Sequence, residues 1–547
     1  MRAVFKIIML MALCAGAPLI SAAQSEITIE AGPVPETIKN QLVKRSKSDS
    51  ALSVAKDRYQ RDGRTIISRD IYGQFAEHLG HGIYEGLWVG LNSPIPNTRG
   101  IRNDVVAALK AVKIPLIRWP GGCFADEYHW IDGVGRAGSR PTMINTNWGG
   151  VTEDNSFGTH EFMDLCDQVG SEAYISGNMG SGTVRELSQW VEYMTSDGKS
   201  PMTDLRKLNG REKPWKIKYI GLGNEAWGCG GSMTAAYYTD EMRKYATYVK
   251  NYPGSHLQKI ASGASDADFN WTETLMKNGS QFINGLALHY YTIQDSWEKK
   301  GSATKFSEAE WFKTMTKTLE MDSLVSKHAA IMDKYDPAKK IGLMVDEWGN
   351  WFDVEPGTNP GFLFQQNSLR DALVAGTNLN IFNNHCDRVR MTCIAQMINV
   401  LQALILTSGK EMVLTPTYYI YQMYADHQNA SLLKTNVKAE RYLFNGKSLN
   451  SLNVSASKDL QGLIHVTICN INAEKNLPLD LIVNGINKLS GSHGRLLTAD
   501  KINDYNDFGK KPVVVPVDFS RFKVKGNHIS LNMPARSVLE IEFSASR

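Results

Sequence analysis

Two short apolar runs in this chain of 547 residues end in the same way. Lys218 to Trp227 reads Lys-Tyr-Ile-Gly-Leu-Gly-Asn-Glu-Ala-Trp, and Ile341 to Gly349 reads Ile-Gly-Leu-Met-Val-Asp-Glu-Trp-Gly. The first is too short and too rich in glycine for a helix, the second shares its design, and both fit the interior strand of an α/β protein. A strand of that kind delivers its last side chains to the mouth of a sheet or barrel, where chemistry sits. Glu225 and Glu347 therefore form a matched pair. A lone glutamate is most often a solvated surface residue. Two of them closing buried strands, each beside a tryptophan, are what glycoside hydrolysis requires: one protonates the leaving oxygen, and the other attacks or stabilises the oxocarbenium-like centre.

From Ile71 onward, strand-like runs alternate with amphipathic helical stretches, the pattern of βα units on a parallel sheet. The expected strands are Ile71 to Leu79, Pro115 to Gly122, Glu172 to Gly180, Lys218 to Glu225, Lys259 to Ala264, Gly285 to Tyr291, Ile341 to Gly349 and Arg388 to Gln396. Eight such units predict an α/β fold, a (β/α)8 TIM barrel over residues 71–428. After about Asn429 short alternating runs with frequent turn signals predict a C-terminal antiparallel β-sandwich, jelly-roll-like, over 429–547. Residues 24–70 read as one strand, Ile27 to Glu30, followed by a polar linker from Lys39 to Asp62.

Residues 1–23 carry Arg2 and Lys6, then an apolar run from Ile7 to Ile20, then Ser21-Ala-Ala23, and are expected to be a signal peptide that sends the chain to a periplasm or the medium. The net charge of +4 is small for this length, and no basic cluster interleaves with aromatics, so neither nucleic acid nor a membrane is expected as a partner. Six cysteines follow that leader, without zinc spacing. They allow one or two disulfides, and Cys123 and Cys229 stand out by their neighbours.

The residues closing the other expected strands are polar and aromatic: Glu77 and His78; Arg118 to Cys123; Asn178; His289, Tyr290 and Tyr291; Gln396. Carboxylates and amides suit paired sugar hydroxyls, and aromatic faces suit sugar C–H surfaces. The blocks Tyr72-Gly-Gln-Phe-Ala-Glu-His-Leu-Gly80, Arg118-Trp-Pro-Gly-Gly122, Gly158-Thr-His-Glu-Phe-Met163, Gly221-Leu-Gly-Asn-Glu-Ala-Trp227, Leu288-His-Tyr-Tyr291, Asp346-Glu-Trp348 and Asn384-His-Cys-Asp-Arg-Val389 together resemble the α-L-arabinofuranosidases of glycoside hydrolase family 51. The resemblance covers about residues 71 to 400. It implies an exo-acting, retaining enzyme that needs no cofactor or metal and releases terminal arabinofuranosyl residues from arabinan, arabinoxylan or related plant polysaccharides and oligosaccharides. It makes Glu225 the general acid/base and Glu347 the nucleophile, with Glu77, Cys123, Trp148, Asn224, His289, Tyr291 and Gln396 around the sugar. It also carries an expectation of homo-oligomers.

Two other functions share the same features. An endo-β-glucanase or xylanase-like hydrolase would use the same two glutamates in an open cleft, and a non-catalytic polysaccharide-binding protein would have no need of both. His78 and His81 have a spacing that metal ligands can use, but no third ligand is evident, and His78 is read as bracing the first strand; Asp387-Arg388 is read as a buried ion pair under the eighth strand.

Overall fold

The computed structural model describes residues 25–32 and 59–546. Eight parallel strands close into a barrel: β1 Gly73–Phe75, β2 Leu116–Trp119, β3 Glu172–Gly177, β4 Tyr219–Leu222, β5 Gln258–Ser265, β6 Gly285–Thr292, β7 Gly342–Asn350 and β8 Val389–Ile394. Every strand expected from the apolar runs is present. β1, β2, β3, β4 and β8 stop short of the polar residues assigned to them, because those residues leave the hydrogen-bond ladder to line the mouth.

Each strand is followed by a helix: α1 Asn103–Ala111, α2 Thr159–Val169, α3 Val184–Thr195, α4 Ala235–Tyr248, α5 Phe269–Gly279, α6 Glu308–Tyr335, α7 Leu369–Asn384 and α8 Pro416–Tyr424. Phe75, Leu116, Tyr174, Tyr219, Ile260, Ala287, Met344 and Met391 fill the barrel axis. A separate, larger apolar layer lies between strands and helices.

The C-terminal part is a ten-stranded sheet whose two halves share one apolar core, including Ile27, Ile29, Leu433, Leu479, Leu539 and Ile541. The strand Ser25–Glu30 lies inside this sheet, antiparallel to Ser431–Lys438 and parallel to Leu477–Asn484. Strands Ser431–Lys438, Lys488–Leu497 and Phe522–Lys525 escape sequence reading because lysine, glycine, serine and histidine dilute their alternation. In the apolar run Val513 to Val517 only the end pairs, as the strand Val517–Asp518. Pro512 and Pro516 cannot donate to a ladder, and the Val513 and Val514 amides donate to Asn506 Oδ1 instead. Most of the linker expected from Lys39 to Asp62 lies outside the described residues; its end joins a small hairpin, Gln60–Arg61 with Arg64–Thr65.

Helix α7 joins the two halves. Only Asn384 on it escapes burial. Its apolar residues pack in the barrel layer, while Asn380, Asn383 and Asn384 donate to Asn453 O, Ser455 Oγ and Val454 O of the sheet at 3.2, 3.1 and 2.9 Å. Trp311 on α6 adds a second link, its indole N–H donating to Ile471 O at 2.9 Å from a fully buried position.

The expected Asp387-Arg388 pair does not form. Arg388 is buried against Asp336 at 2.9 Å and also meets Asp333, while Asp387 turns outward to Lys339. Adjacent residues entering a strand point to opposite faces, which separates the two charges. Replacing Trp311 with alanine removes a buried indole and a hydrogen bond across the joint, at a cost of ~3–5 kcal/mol. Trp311→Ala is expected to lower Tm by several degrees in a thermal melt; an unchanged Tm would show that α6 does not help hold the sheet.

Candidate active site

Arg118, at the end of β2, is 1% exposed and lies across the barrel mouth. Its Nη1 donates to Glu347 Oε1 at 2.8 Å and to Asp346 O at 3.1 Å, its Nη2 donates to Asn224 Oδ1 at 2.6 Å, and Phe75 packs 4.5 Å from the guanidinium. One side chain thus ties the ends of β2, β4 and β7. Asp346 and Glu347 are consecutive, yet both reach Arg118, because register irregularities in β7 against its neighbours interrupt strict alternation. Asp346 also accepts from Tyr174 Oη at 2.8 Å.

His289 on β6 stands between the acids. Its Nδ1 is 2.9 Å from Glu225 Oε1 and 3.4 Å from Glu347 Oε2, and its Nε2 is 3.2 Å from Asp346 Oδ1. Tyr291 Oη donates to Glu347 Oε2 at 3.0 Å. Single donor atoms from Glu225, His289 and Glu347 lie within 4.8 Å of one another, so the two carboxyl groups are close enough to face one reacting carbon. The same spacing would suit a cation, but the Arg118 guanidinium already supplies positive charge on the other oxygen of Glu347.

Glu225 follows β4 with φ of 40°, a conformation that costs a non-glycine residue free energy and collects at functional sites. The turn is held by the Gly228 and Gly230 amides, which donate to Glu225 O at 2.7 and 3.1 Å. It brings Cys229 back over the carboxyl, where Cys229 is joined to Cys123 by a disulfide. Cys229 Sγ lies 3.6 Å and Cys123 Sγ 4.0 Å from Glu225 Oε2.

Glu77 forms the far wall. Its Oε1 accepts from the Phe124 amide at 3.1 Å and the Trp148 indole at 3.0 Å, and its Oε2 accepts from Gln396 Nε2 at 3.0 Å. Gly122 lies between Glu77 and Glu347: a Cβ there would stand 2.8 Å from Glu77 Oε1 and 3.2 Å from Glu347 Oε1.

These charges share little water. Burial pushes the Glu225 carboxyl above its usual range, the charge of Glu347 adds to the rise, and the His289 hydrogen bond opposes it. Burial and Glu347 raise Glu77 to about 7. Burial alone would lower His289, but Glu347, Asp346 and Glu225 outweigh it and lift the imidazole to about 10. Burial would raise Asp346 as well; Arg118 and His289 reverse that and hold it below the usual range. The site therefore pushes its acids apart, Glu225 and Glu77 toward the protonated form and Asp346 toward the ionised one.

Around this centre is a cavity of about 540 Å³. Glu77, Cys123, Trp148, Glu225, His289, Tyr291, Glu347 and Gln396 all line it. Asn224 differs from the other expected residues: it is 2% exposed, its Oδ1 is taken by Arg118, and its Nδ2 meets Cys229 Sγ at 3.8 Å. Cys123 contributes a disulfide sulfur rather than a thiol. Sequence reading gave no role to Arg118 or Asp346, although both stood inside the motifs, nor to Trp227, Trp297 and Trp351 on the outer wall. His78 braces as expected, accepting from Trp119 Nε1 at 3.0 Å and meeting Glu153 at 3.2 Å, while His81 turns away to Glu85.

Comparison with known proteins agrees with this geometry. The α-L-arabinofuranosidase 1 domain model matches residues 108–310, and the α-L-arabinofuranosidase C-terminal domain model matches 346–537. The chain is 52% identical over 482 residues to an intracellular exo-α-L-arabinofuranosidase of Bacteroides ovatus, covering 88% of this chain and 94% of that one. The crystal structure of a GH51 arabinofuranosidase from Xanthomonas axonopodis pv. citri superposes with a TM-score of 0.88 at 46% identity, over 95% of this chain and all of the other. An arabinose complex of the Thermotoga maritima α-L-arabinofuranosidase superposes with a TM-score of 0.76 at 28% identity, over 87% and 97%. The Bacteroides relative is named an intracellular enzyme, and this overturns the expectation of export. Residues 1–23, which carried it, lie outside the described residues, and two cations before an apolar run are a pattern of composition that does not by itself fix an address. With the matched domains, the extent of identity and the shared barrel and sheet, the chain belongs to the α-L-arabinofuranosidases of glycoside hydrolase family 51.

Proposed function

We propose that this chain is an exo-acting, retaining α-L-arabinofuranosidase in which Glu225 is the general acid/base and Glu347 the nucleophile. The observation that carries the reading is the approach of the Glu225 and Glu347 carboxyl oxygens to within 4.8 Å, with His289 touching both. Retaining glycosidases hold their carboxyl groups ~5 Å apart, whereas inverting ones leave room for a water between them. Arg118 and Tyr291 each donate to one oxygen of Glu347 and aim the carboxyl group at the anomeric carbon. Glu225 delivers its proton to the leaving oxygen, then takes one from the water that cleaves the arabinosyl-enzyme.

Exo action is supported by the inner end of the cavity, where Glu77, Trp148 and Gln396 form a hydrogen-bonded wall behind the space for a terminal sugar. Glu77 and Gln396 are suited to the hydroxyls of that sugar, and Asn224 to positioning Arg118. The names of the relatives support a substrate among arabinose-containing compounds. A binding protein would gain nothing from crowding four acids into one buried volume.

Glu347→Gln and Glu225→Gln are expected to lower kcat for aryl α-L-arabinofuranoside hydrolysis by several orders of magnitude with the fold intact by circular dichroism; near-normal turnover in either would sink the assignment. Gly122→Ala forces a methyl group against Glu77 and Glu347 and is expected to lower kcat/KM at least ~100-fold, comparable to losing one well-placed catalytic interaction. His289→Asn removes a donor that holds the Glu225 pKa down. The alkaline limb of the kcat/KM profile should then move to higher pH, and a limb that stayed in place or moved lower would exclude Glu225 as the group that must be protonated.

A further inference from the structure

The joint between barrel and sheet gathers ionisable groups that the chemistry at the barrel mouth does not use. His465, on strand Ile464–Asn470, is 2% exposed. Its Nε2 lies 3.1 Å from Asp459 Oδ2, and in the tautomer that donates from Nε2 to this carboxylate the Nδ1 lone pair is open to a ligand. Nδ1 has no hydrogen-bond partner among the described residues. It faces Glu542 Oε2 at 3.5 Å, because His465 and Glu542 are register partners on adjacent strands. Asp426 comes from the other side of the joint, in the turn Ala425–His427 that ends α8. One donor atom from each of Asp426, His465 and Glu542 lies within 4.8 Å of the other two.

Two carboxylates and an imidazole lone pair converging on one point repel unless a positive charge sits among them. A proton on Nδ1 answers this poorly. At 3.5 Å it would reach Glu542 only as a weak hydrogen bond, and it would leave Asp426 to Lys113, 3.0 Å from its Oδ1. Arg495, the nearby guanidinium, is spent on Glu540 at 3.0 Å. His427 offers no alternative charge: its Nδ1 and Nε2 are committed to the Ser457 and Thr467 hydroxyls at 2.7 and 3.0 Å. A cation answers all three donors. The carboxylate behind His465 is the partner that orients and strengthens a metal-binding imidazole, and one nitrogen with two carboxylate oxygens suits a borderline divalent ion.

We propose that Asp426, His465 and Glu542 bind one divalent transition-metal cation, Zn²⁺ foremost, with Asp459 orienting the histidine. Asp426 belongs to the barrel, while His465 and Glu542 belong to the sheet, so the ion staples the two together and its binding free energy adds to the stability of the joint.

The test uses the full chain, stripped with EDTA and titrated with Zn²⁺ alone by calorimetry, with Tm read in parallel. The expected result is one Zn²⁺ per chain and a Tm raised by several degrees. Both effects should persist in Glu225→Gln, which removes one donor of the other convergent cluster at the barrel mouth. Glu542→Gln sits at a part-exposed position that the fold tolerates, and should weaken Zn²⁺ binding at least ~10-fold. Asp459→Asn should weaken it ~10–100-fold through the histidine. The proposal is overturned if no Zn²⁺ binds, if Zn²⁺ binding is lost in Glu225→Gln, or if Glu542→Gln and Asp426→Asn both bind as the parent does. It is likewise overturned if NMR titration finds His465 doubly protonated at neutral pH and indifferent to Zn²⁺.

Discussion

A guanidinium buried at the mouth of a barrel has to be answered by acceptors from several directions, and at Arg118 those acceptors are the active-site walls themselves. Glu347, the Asp346 carbonyl and Asn224 meet it from β7 and β4. Removing the carboxylate of Glu347 would leave much of that charge unpaired in low dielectric, which proteins tolerate badly. The position of Glu347 is therefore set by the need to neutralise Arg118 as well as by the strand that carries it. His289 extends the same logic: it bridges three acids, and the balance among these neighbouring charges decides which glutamate holds a proton.

Much of this was legible in the chain. Apolar runs ending in acidic dipeptides located β4 and β7, and with them Glu225 and Glu347, because strand ends in a parallel barrel all open on one face. What escaped reading depends on interactions between distant segments. The disulfide between Cys123 and Cys229 joins the ends of β2 and β4 across a separation of 106 residues, and nothing local in either motif states that pairing. The inward aim of both Asp346 and Glu347 depends on register irregularities that a period of two cannot express. Arg118 was visible, but its role exists only once three strands have closed around it.

The sheet shows where alternation fails as a guide. Lys488–Leu497 pairs along much of Ser537–Ser546 despite a sequence of glycine, serine and histidine, since burial of Leu489, Leu496 and Leu497 suffices to hold it. The run Val513 to Val517, rich in valine, pairs only at its end because Pro512 stands before it and Pro516 within it. Propensity lost to backbone hydrogen-bond supply in one case and to sparse anchoring in the other.

Helix α7 has a consequence for anyone who would treat the barrel as a portable module. It is a wall shared by two rooms: its apolar side closes the barrel layer, and its asparagines are fitted to the edge of the sheet through Asn453, Val454 and Ser455. A truncated chain ending at the last barrel helix would open that wall to water and deprive those amides of the acceptors they now meet. A chimera with a foreign sheet would have to reproduce the same row of carbonyl and hydroxyl positions. The chain is thus inherited whole, and recombination within the family should cut outside this seam.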